Sequence, residues 1–114
     1  MSSPITTHIL DTARGTPASG VSIRLCRLEA DGGYTLLADG VTDDDGRIKD
    51  LLEPGGLTVG TYRMLFKTGD YFEKQGIAPF YPEALITFVV YTPEQHYHIP
   101  LLLSPSGYST YRGS

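Results

Sequence analysis

Short runs of strand-forming residues alternate with turn-forming residues along almost the whole chain. Glycine and proline supply 13 and 8 of the 114 residues, and many of them stand between the apolar runs, where they favour tight turns. Runs of this length and spacing predict an antiparallel β-sandwich or barrel. We predict eight strands, which in chain order are Thr6–Leu10, Val21–Leu28, Tyr34–Val41, Arg47–Leu51, Gly60–Thr68, Glu83–Thr92, Tyr97–Leu103 and Tyr108–Arg112.

The alternation of apolar residues indicates which face of several strands lies in the core. In Val21–Leu28 every second residue from Val21 to Leu25 is a large apolar residue. In Gly60–Thr68 the alternate positions hold Tyr62, Met64 and Phe66. This period of two is typical of strands buried on one face. The run Glu83–Thr92 is apolar on both faces, so we expect it to be covered on both sides or to lie in a subunit interface.

One short helix is predicted between the fifth and sixth strands. Asp70 is suited to cap its first turn, and Glu73 three residues later would complete a capping box. Gly76 is a plausible C-terminal stop. We therefore predict a helix over Asp70–Gln75, which is too short to persist without packing against the rest of the domain.

Composition narrows the class of protein. A chain of 114 residues predicts one domain, residues 1–114. The net charge of −4 gives no electrostatic basis for binding nucleic acid, and Leu101–Leu103 is far shorter than the roughly 20 residues of a membrane helix. The single thiol, Cys26, excludes an intrachain disulfide. Because the start resembles no signal peptide and the end no peroxisomal signal, we expect a cytoplasmic protein.

Three histidines are the main candidates for chemistry. His8 lies in the first predicted strand, and His96 and His98 flank Tyr97 in the seventh. Alternation places Tyr97 and Ile99 on the core face, so His98 points away from the core. Each histidine could be a rim residue, or His96 and His98 could share a metal ion. A metal site would need a third or fourth ligand, which His8 could supply only if the first and seventh strands are neighbours.

The acidic segment Asp43–Gly46 is best interpreted as a hairpin turn, because it lacks the alternating ligands of a calcium loop. Arg47 follows it directly. This arginine could be solvated, or it could be a donor to an anion or oxyanion. The chain contains neither a Gly-x-Ser-x-Gly nucleophile elbow nor a phosphate-binding glycine motif.

Four segments of the chain carry a resemblance to a known family, namely His8–Ala18, Thr42–Arg47, Tyr97–Pro105 and Gly107–Ser114. They closely resemble the 5-hydroxyisourate hydrolase family of transthyretin-related enzymes. The terminal Tyr-Arg-Gly-Ser is the most specific part. The resemblance implies an all-β, transthyretin-like (prealbumin-like) sandwich of two four-stranded sheets with one short helix. It also implies a homotetramer, a dimer of dimers, whose central channel holds two active sites.

The resemblance further implies a reaction and its site. The family opens the ring of 5-hydroxyisourate at the N1–C6 amide bond, in urate degradation, and forms 2-oxo-4-hydroxy-4-carboxy-5-ureidoimidazoline. No cofactor or metal is used. The implied catalytic residues are His8, Arg47, His98 and Ser114, and the implied substrate contacts are His8, Arg47, Tyr111, Arg112, Gly113 and Ser114. His96 is outside this signature and is interpreted as a rim residue.

The chemistry of these residue types suits amide hydrolysis. A histidine can act as the general base that water needs at neutral pH, and we assign this role to His98, with His8 as its partner. A fixed guanidinium such as that of Arg47 can stabilise an oxyanion. The alternative is a hormone carrier with the same fold, as transthyretin is. A carrier channel requires apolar walls, whereas imidazole, guanidinium and phenol groups favour the hydrolase.

Overall fold

Two β-sheets supply most of the regular secondary structure of the computed structural model, which describes residues 3–114. A single short helix is the other regular element of that range. The elements in chain order are β1 (Ile5–Asp11), β2 (Thr16–Pro17), β3 (Ser22–Leu28), β4 (Tyr34–Val41), β5 (Arg47–Ile48), β6 (Gly60–Phe66), α1 (Thr68–Glu73), β7 (Ala84–Val90), β8 (Tyr97–Ser104) and β9 (Gly107–Thr110).

The strand order confirms the predicted all-β sandwich and corrects its strand count. One sheet has the order β4-β3-β6-β7, and the other has the order β2-β1-β8-β9 with β5 also paired to β1. This second sheet has five strands instead of the expected four, because the two-residue strands β2 and β5 both pair with β1. Strand β2 was not predicted from the sequence, and β5 is three residues shorter than predicted. The pair β1–β8 is parallel, whereas every other pair in the two sheets is antiparallel.

The core is built from the inner faces of both sheets, as the alternation predicted. Alternate residues of β3 and β6 are buried, while their neighbours are more exposed. The largest side chains that are fully buried include Tyr62, Phe66, Phe72, Ile5, Ile9, Ile23, Leu25, Met64 and Leu101. Burial of these apolar surfaces is the main stabilising contribution to a domain of this kind.

The helix is present, but it starts and ends two residues earlier than predicted, at Thr68–Glu73 instead of Asp70–Gln75. α1 begins at Thr68, its N-cap is Lys67, and no side chain caps it. Asp70 therefore lies in the first turn instead of forming a capping box with Glu73. The start of the helix is fixed by a tertiary contact, because the amide of Gly69 donates a hydrogen bond to the carbonyl of Pro82 at 2.8 Å.

A buried carboxylate ties this helix to β1. The hydroxyl of Tyr71 donates to Oδ2 of Asp11 at 2.8 Å, and Oδ1 of Asp11 accepts the amides of Ala13 and Arg14 at 3.1 Å. Burial and the carboxylate of Asp11 raise the pKa of Tyr71 above its ordinary value. The phenol therefore stays protonated and remains a hydrogen-bond donor.

Strand β7 lies at the edge of its sheet and exposes apolar side chains. Leu85 and Val89 are 43% and 40% exposed, whereas Ile86 and Phe88 pack against the core. Within one chain the strand is therefore covered on one face only, and its place in a subunit interface stays a prediction. Over residues 3–114, α1 is far too short to cross a membrane, and no longer helix is present.

Candidate active site

Strand β1 brings His8, Arg47 and His98 together because it pairs with both β5 and β8. In the antiparallel β1–β5 pair His8 lies opposite Arg47, and in the parallel β1–β8 pair Thr6 lies opposite His98. The first and seventh predicted strands are therefore neighbours. An open cavity of about 410 Å³ lies at this place, and its lining includes Arg47, His98 and Ser114.

This cavity has a cationic lining. Besides Arg47, the lining side chains include Lys49, and none of the described side chains that line it is a carboxylate of Asp or Glu. His8 lies beside the cavity on β1, opposite Arg47. A site of this composition attracts a small polar anion and provides imidazole nitrogens to exchange protons with it.

The turn before Arg47 is held by Asp43. Its Oδ1 accepts the amides of Asp45 at 2.9 Å and Arg47 at 3.0 Å, and its own amide donates to the carbonyl of Arg47 at 2.9 Å. The hydrogen bond from the Arg47 amide is the main reason that the pKa of Asp43 is lowered. The carboxylate therefore stays ionised and fixes the backbone from which the Arg47 side chain projects.

Gly46 joins this turn to β1. Its φ of +74° lies in the left-handed region, and a Cβ at this position would lie 2.5 Å from the carbonyl oxygen of Ile9. The amide of Ile9 donates to the carbonyl of Gly46 at 2.8 Å. The turn predicted as a hairpin is therefore a crossing between sheets, because β5 pairs with β1 and not with β4.

His98 faces away from the core, as predicted, and its ring is held at one nitrogen. Tyr97 and Ile99 on either side of it are 5% and 6% exposed and face the core. The Nδ1 atom of His98 lies 2.9 Å from Oγ1 of Thr6. Burial, followed by the charges of Arg47, His96 and His8, lowers the pKa of His98 below its ordinary value. The imidazole is therefore mostly neutral at pH 7, which is the state that a general base requires.

The C-terminal tail packs against His98. The amide of Gly113 donates to the carbonyl of His98 at 2.9 Å, and Ser114 lines the cationic cavity. Arg112 lies elsewhere, with its Cζ 4.4 Å from the centroid of the Tyr97 ring and Nη2 donating to Gln95. Tyr111 and Arg112 line a second, largely apolar cavity of about 430 Å³, which His98 also borders. Within one chain, the six implied substrate contacts thus fall on two sides of His98.

The cationic cavity is also lined by four residues that were not predicted from the sequence, namely Thr6, Thr7, Ile48 and Lys49. Because side chains alternate between the two faces of a strand, Thr6 lies on the same face as His8, and this pattern could have indicated Thr6 from the sequence. The parallel register of β1 and β8, which places Thr6 opposite His98, is not visible in the sequence. Among residues 3–114, no three His, Cys, Asp or Glu side chains group closely enough to hold a metal ion.

We expect Gly113→Ala to lower kcat without unfolding the chain. A Cβ at Gly113 would lie 2.5 Å from Cδ2 of His98 and 3.1 Å from Cγ of Pro100, so either the imidazole or the tail must move. A shift of 1 Å at a catalytic group can cost about 10²-fold in rate. Steady-state kinetics checks this, with Gly107→Ala as the control because no atom lies within 4 Å of a Cβ there. Equal kcat values for both variants would contradict the role of the tail.

Comparison with known proteins identifies the class to which this fold and site belong. Residues 5–113 match the model of the HIUase/Transthyretin family, so the chain belongs to that family. A 5-hydroxyisourate hydrolase of Mus musculus is 46% identical over 114 residues, which cover 99% of this chain and 97% of that protein. A 5-hydroxyisourate hydrolase of Salmonella typhi is 48% identical over 96% of this chain and 80% of that protein. The family and fold that the resemblance implied are therefore confirmed.

Two solved structures with this fold are of proteins that are named for different activities. The structure of Klebsiella pneumoniae 5-hydroxyisourate hydrolase has a TM-score of 0.85 and 41% identity, and the match covers 100% of both chains. Sea bream transthyretin in complex with thyroxine has a TM-score of 0.92 and 40% identity, with 96% of this chain and 94% of that chain covered. The fold alone does not separate the two activities, so the side chains of the site must do so.

Proposed function

We propose that this protein is a 5-hydroxyisourate hydrolase that opens the N1–C6 amide bond to form 2-oxo-4-hydroxy-4-carboxy-5-ureidoimidazoline. The observation that supports it most is the cationic cavity, where His98 and Arg47 come together with Ser114 beside His8. The relatives named 5-hydroxyisourate hydrolase, at 46% and 48% identity over at least 96% of this chain, support the same conclusion.

In the proposed reaction, His98 takes a proton from water at Nε2 while the water oxygen bonds to C6 of the substrate. The guanidinium of Arg47 stabilises the negative charge that develops on the C6 oxygen. The C6–N1 bond then breaks, and N1 receives a proton as it leaves. His8, opposite Arg47, is placed to assist this proton transfer. One water molecule is consumed, and the reaction uses no cofactor.

The direct test follows the decay of freshly prepared 5-hydroxyisourate by ultraviolet absorbance. We expect the protein to accelerate ring opening well above the spontaneous rate and in proportion to its concentration. The variant with both His98→Ala and Arg47→Ala serves as the control for contaminating activity. A rate equal to the spontaneous rate would reject the proposed function.

A hormone carrier is the alternative, and the likeness to thyroxine-bound sea bream transthyretin favours it. The cationic cavity argues against it, because an aromatic hormone requires a more apolar channel. Thyroxine binding measured by calorimetry separates the two functions. Tight binding of thyroxine without hydrolysis of 5-hydroxyisourate would favour the carrier.

The proposal includes assembly as a homotetramer, a dimer of dimers. We expect light scattering to give about four times the chain mass of 12.4 kDa. The exposed edge of β7 supports this expectation, because unpaired edges with apolar side chains are usually covered. Val89→Lys on that edge should weaken assembly, whereas Val59→Lys, in a loop where the valine is 66% exposed, should not. A stable, fully active monomer would contradict the proposal.

We also assign the enzyme to the cytoplasm within this proposal. The single thiol of Cys26 is compatible with a reducing compartment. Fractionation of the source cells, followed by detection of the protein, tests this assignment.

A further inference from the structure

The hydroxyl of Thr6 lies between two imidazole rings. Its Oγ1 is 2.9 Å from Nδ1 of His98 and 3.1 Å from Nε2 of His96. The two rings are nearly parallel, with an interplanar angle of 16° and centroids 6.5 Å apart. The three side chains thus form a continuous chain of hydrogen bonds from the exposed rim to the half-buried His98.

A hydroxyl has one proton, and this limits the directions that the two hydrogen bonds of Thr6 can take. If Oγ1 makes hydrogen bonds to both rings, it donates to one ring nitrogen and accepts from the other. Either His98 carries its proton on Nδ1 and His96 accepts from Thr6, or the roles of the two rings are exchanged. Only the first arrangement leaves Nε2 of His98 with a free lone pair in its neutral form.

Electrostatics selects between these two arrangements. The charged groups near His98 are Arg47 of β5 and Lys49 just after it, and the neighbouring imidazoles are His8 and His96. A ring nitrogen that faces cations is stabilised when it presents a lone pair and is destabilised when it presents an N–H group. Because Thr6 occupies Nδ1, Nε2 is the ring nitrogen left for the cavity that Arg47 and Lys49 line, so a lone pair at Nε2 is favoured, and with it the proton on Nδ1.

We propose that Thr6 is a positioning residue that holds His98 as the Nδ1–H tautomer, and that His96 completes the arrangement by accepting the proton of the Thr6 hydroxyl. This inference rests on the proposed function, because it concerns the nitrogen that accepts a proton from water. It gives His96 a part in the site that the family signature did not imply. It also explains why a threonine, and not an apolar β-branched residue, is useful at this position of β1.

Thr6→Val removes the hydroxyl and keeps the β-branched shape. We expect kcat to fall by about 10–100-fold, the range found when a partner that orients an imidazole is removed, with little change in KM. Thr6→Ser should restore most of the activity. Thr35→Val, on an exposed position of β4 in the other sheet, is the matched control and should leave kcat unchanged.

Nitrogen-15 NMR of the three histidines measures the tautomer directly. Neutral His98 should carry its proton on Nδ1 in the wild type and should shift towards the Nε2–H form in Thr6→Val. His96→Ala should shift it in the same direction, whereas Glu94→Ala should not. An Nε2–H tautomer in the wild type would overturn the inference, and so would unchanged kcat in both Thr6→Val and His96→Ala.

The two proposals can fail separately. If the wild type does not hydrolyse 5-hydroxyisourate, the proposed function is wrong, but the tautomer of His98 still decides whether Thr6 orients it. If hydrolysis is found and His98 is the Nε2–H tautomer, the proposed function stands and the role of Thr6 is wrong. If Thr6→Val does not fold, the wild-type spectrum and His96→Ala decide the question.

Discussion

We expect Arg47→Ala to lower kcat by about 10²–10³-fold, the usual cost of losing an oxyanion donor, and to retain the sandwich and its assembly. The side chain is exposed and lines the cavity, so its loss leaves no hole in the core. The backbone hydrogen bonds that hold the turn come from Asp43 and do not depend on the guanidinium. The effect should therefore fall on catalysis and not on folding. Steady-state kinetics with circular dichroism and light scattering checks this.

Two further variants sharpen the test of Arg47. Arg47→Lys keeps the charge but loses the planar guanidinium, so it should recover only part of the activity. Arg24→Ala removes an exposed arginine from β3 in the other sheet and should have no effect. If Arg47→Ala raised KM alone and left kcat unchanged, Arg47 would bind the substrate without stabilising the oxyanion.

The faces of the strands could be predicted from the sequence because burial leaves a pattern of period two. Tyr97 and Ile99 face the core and His98 faces the cavity, as the alternation in β8 required. The partners of a strand leave no such pattern. Nothing in the sequence shows that β8 runs parallel to β1, so the contact between Thr6 and His98 had to come from the structure.

The errors have a common physical origin in tertiary contacts. Asp70 and Glu73 form a plausible capping box, but the contact between Gly69 and Pro82 starts the helix two residues earlier. Asp43–Gly46 has the composition of a hairpin turn, but Gly46 docks onto Ile9 of the other sheet. In both places the local sequence predicted the right kind of element, a helix or a turn. A contact with a residue distant in sequence then set the start of the helix and the partner of the turn.

The site separates the two functions that the fold allows. This chain resembles a thyroxine-bound transthyretin and a hydrolase about equally, at 40% and 41% identity. A carrier has no need for an imidazole whose pKa is lowered and whose Nδ1 is held by the hydroxyl of Thr6. A hydrolase needs both features, because its base must be neutral and oriented before water binds. His98 is thus the residue that most favours catalysis over hormone binding.

His98→Ala should therefore have the largest effect, a loss of about 10²–10⁴-fold in kcat, as expected for a general base. Because the base must be neutral, wild-type activity falls as the pH drops through the pKa of His98. Burial and the nearby Arg47, His96 and His8 lower that pKa, so the acidic limb of the pH–rate profile should lie below the ordinary range of histidine. In His98→Ala this limb should disappear from the pH–rate profile.

His8→Ala is the matched comparison, because His8 lies on the neighbouring strand and is also half-buried. It should lower kcat but retain the acidic limb, since the base is still present. The limb should move to slightly higher pH, because one of the groups that lower the pKa of His98 is gone. If His98→Ala kept nearly full kcat while His8→Ala lost both activity and limb, the two roles would be exchanged. If neither variant mattered, water would have to be activated by a group other than these imidazoles, and the mechanism proposed for this site would be wrong.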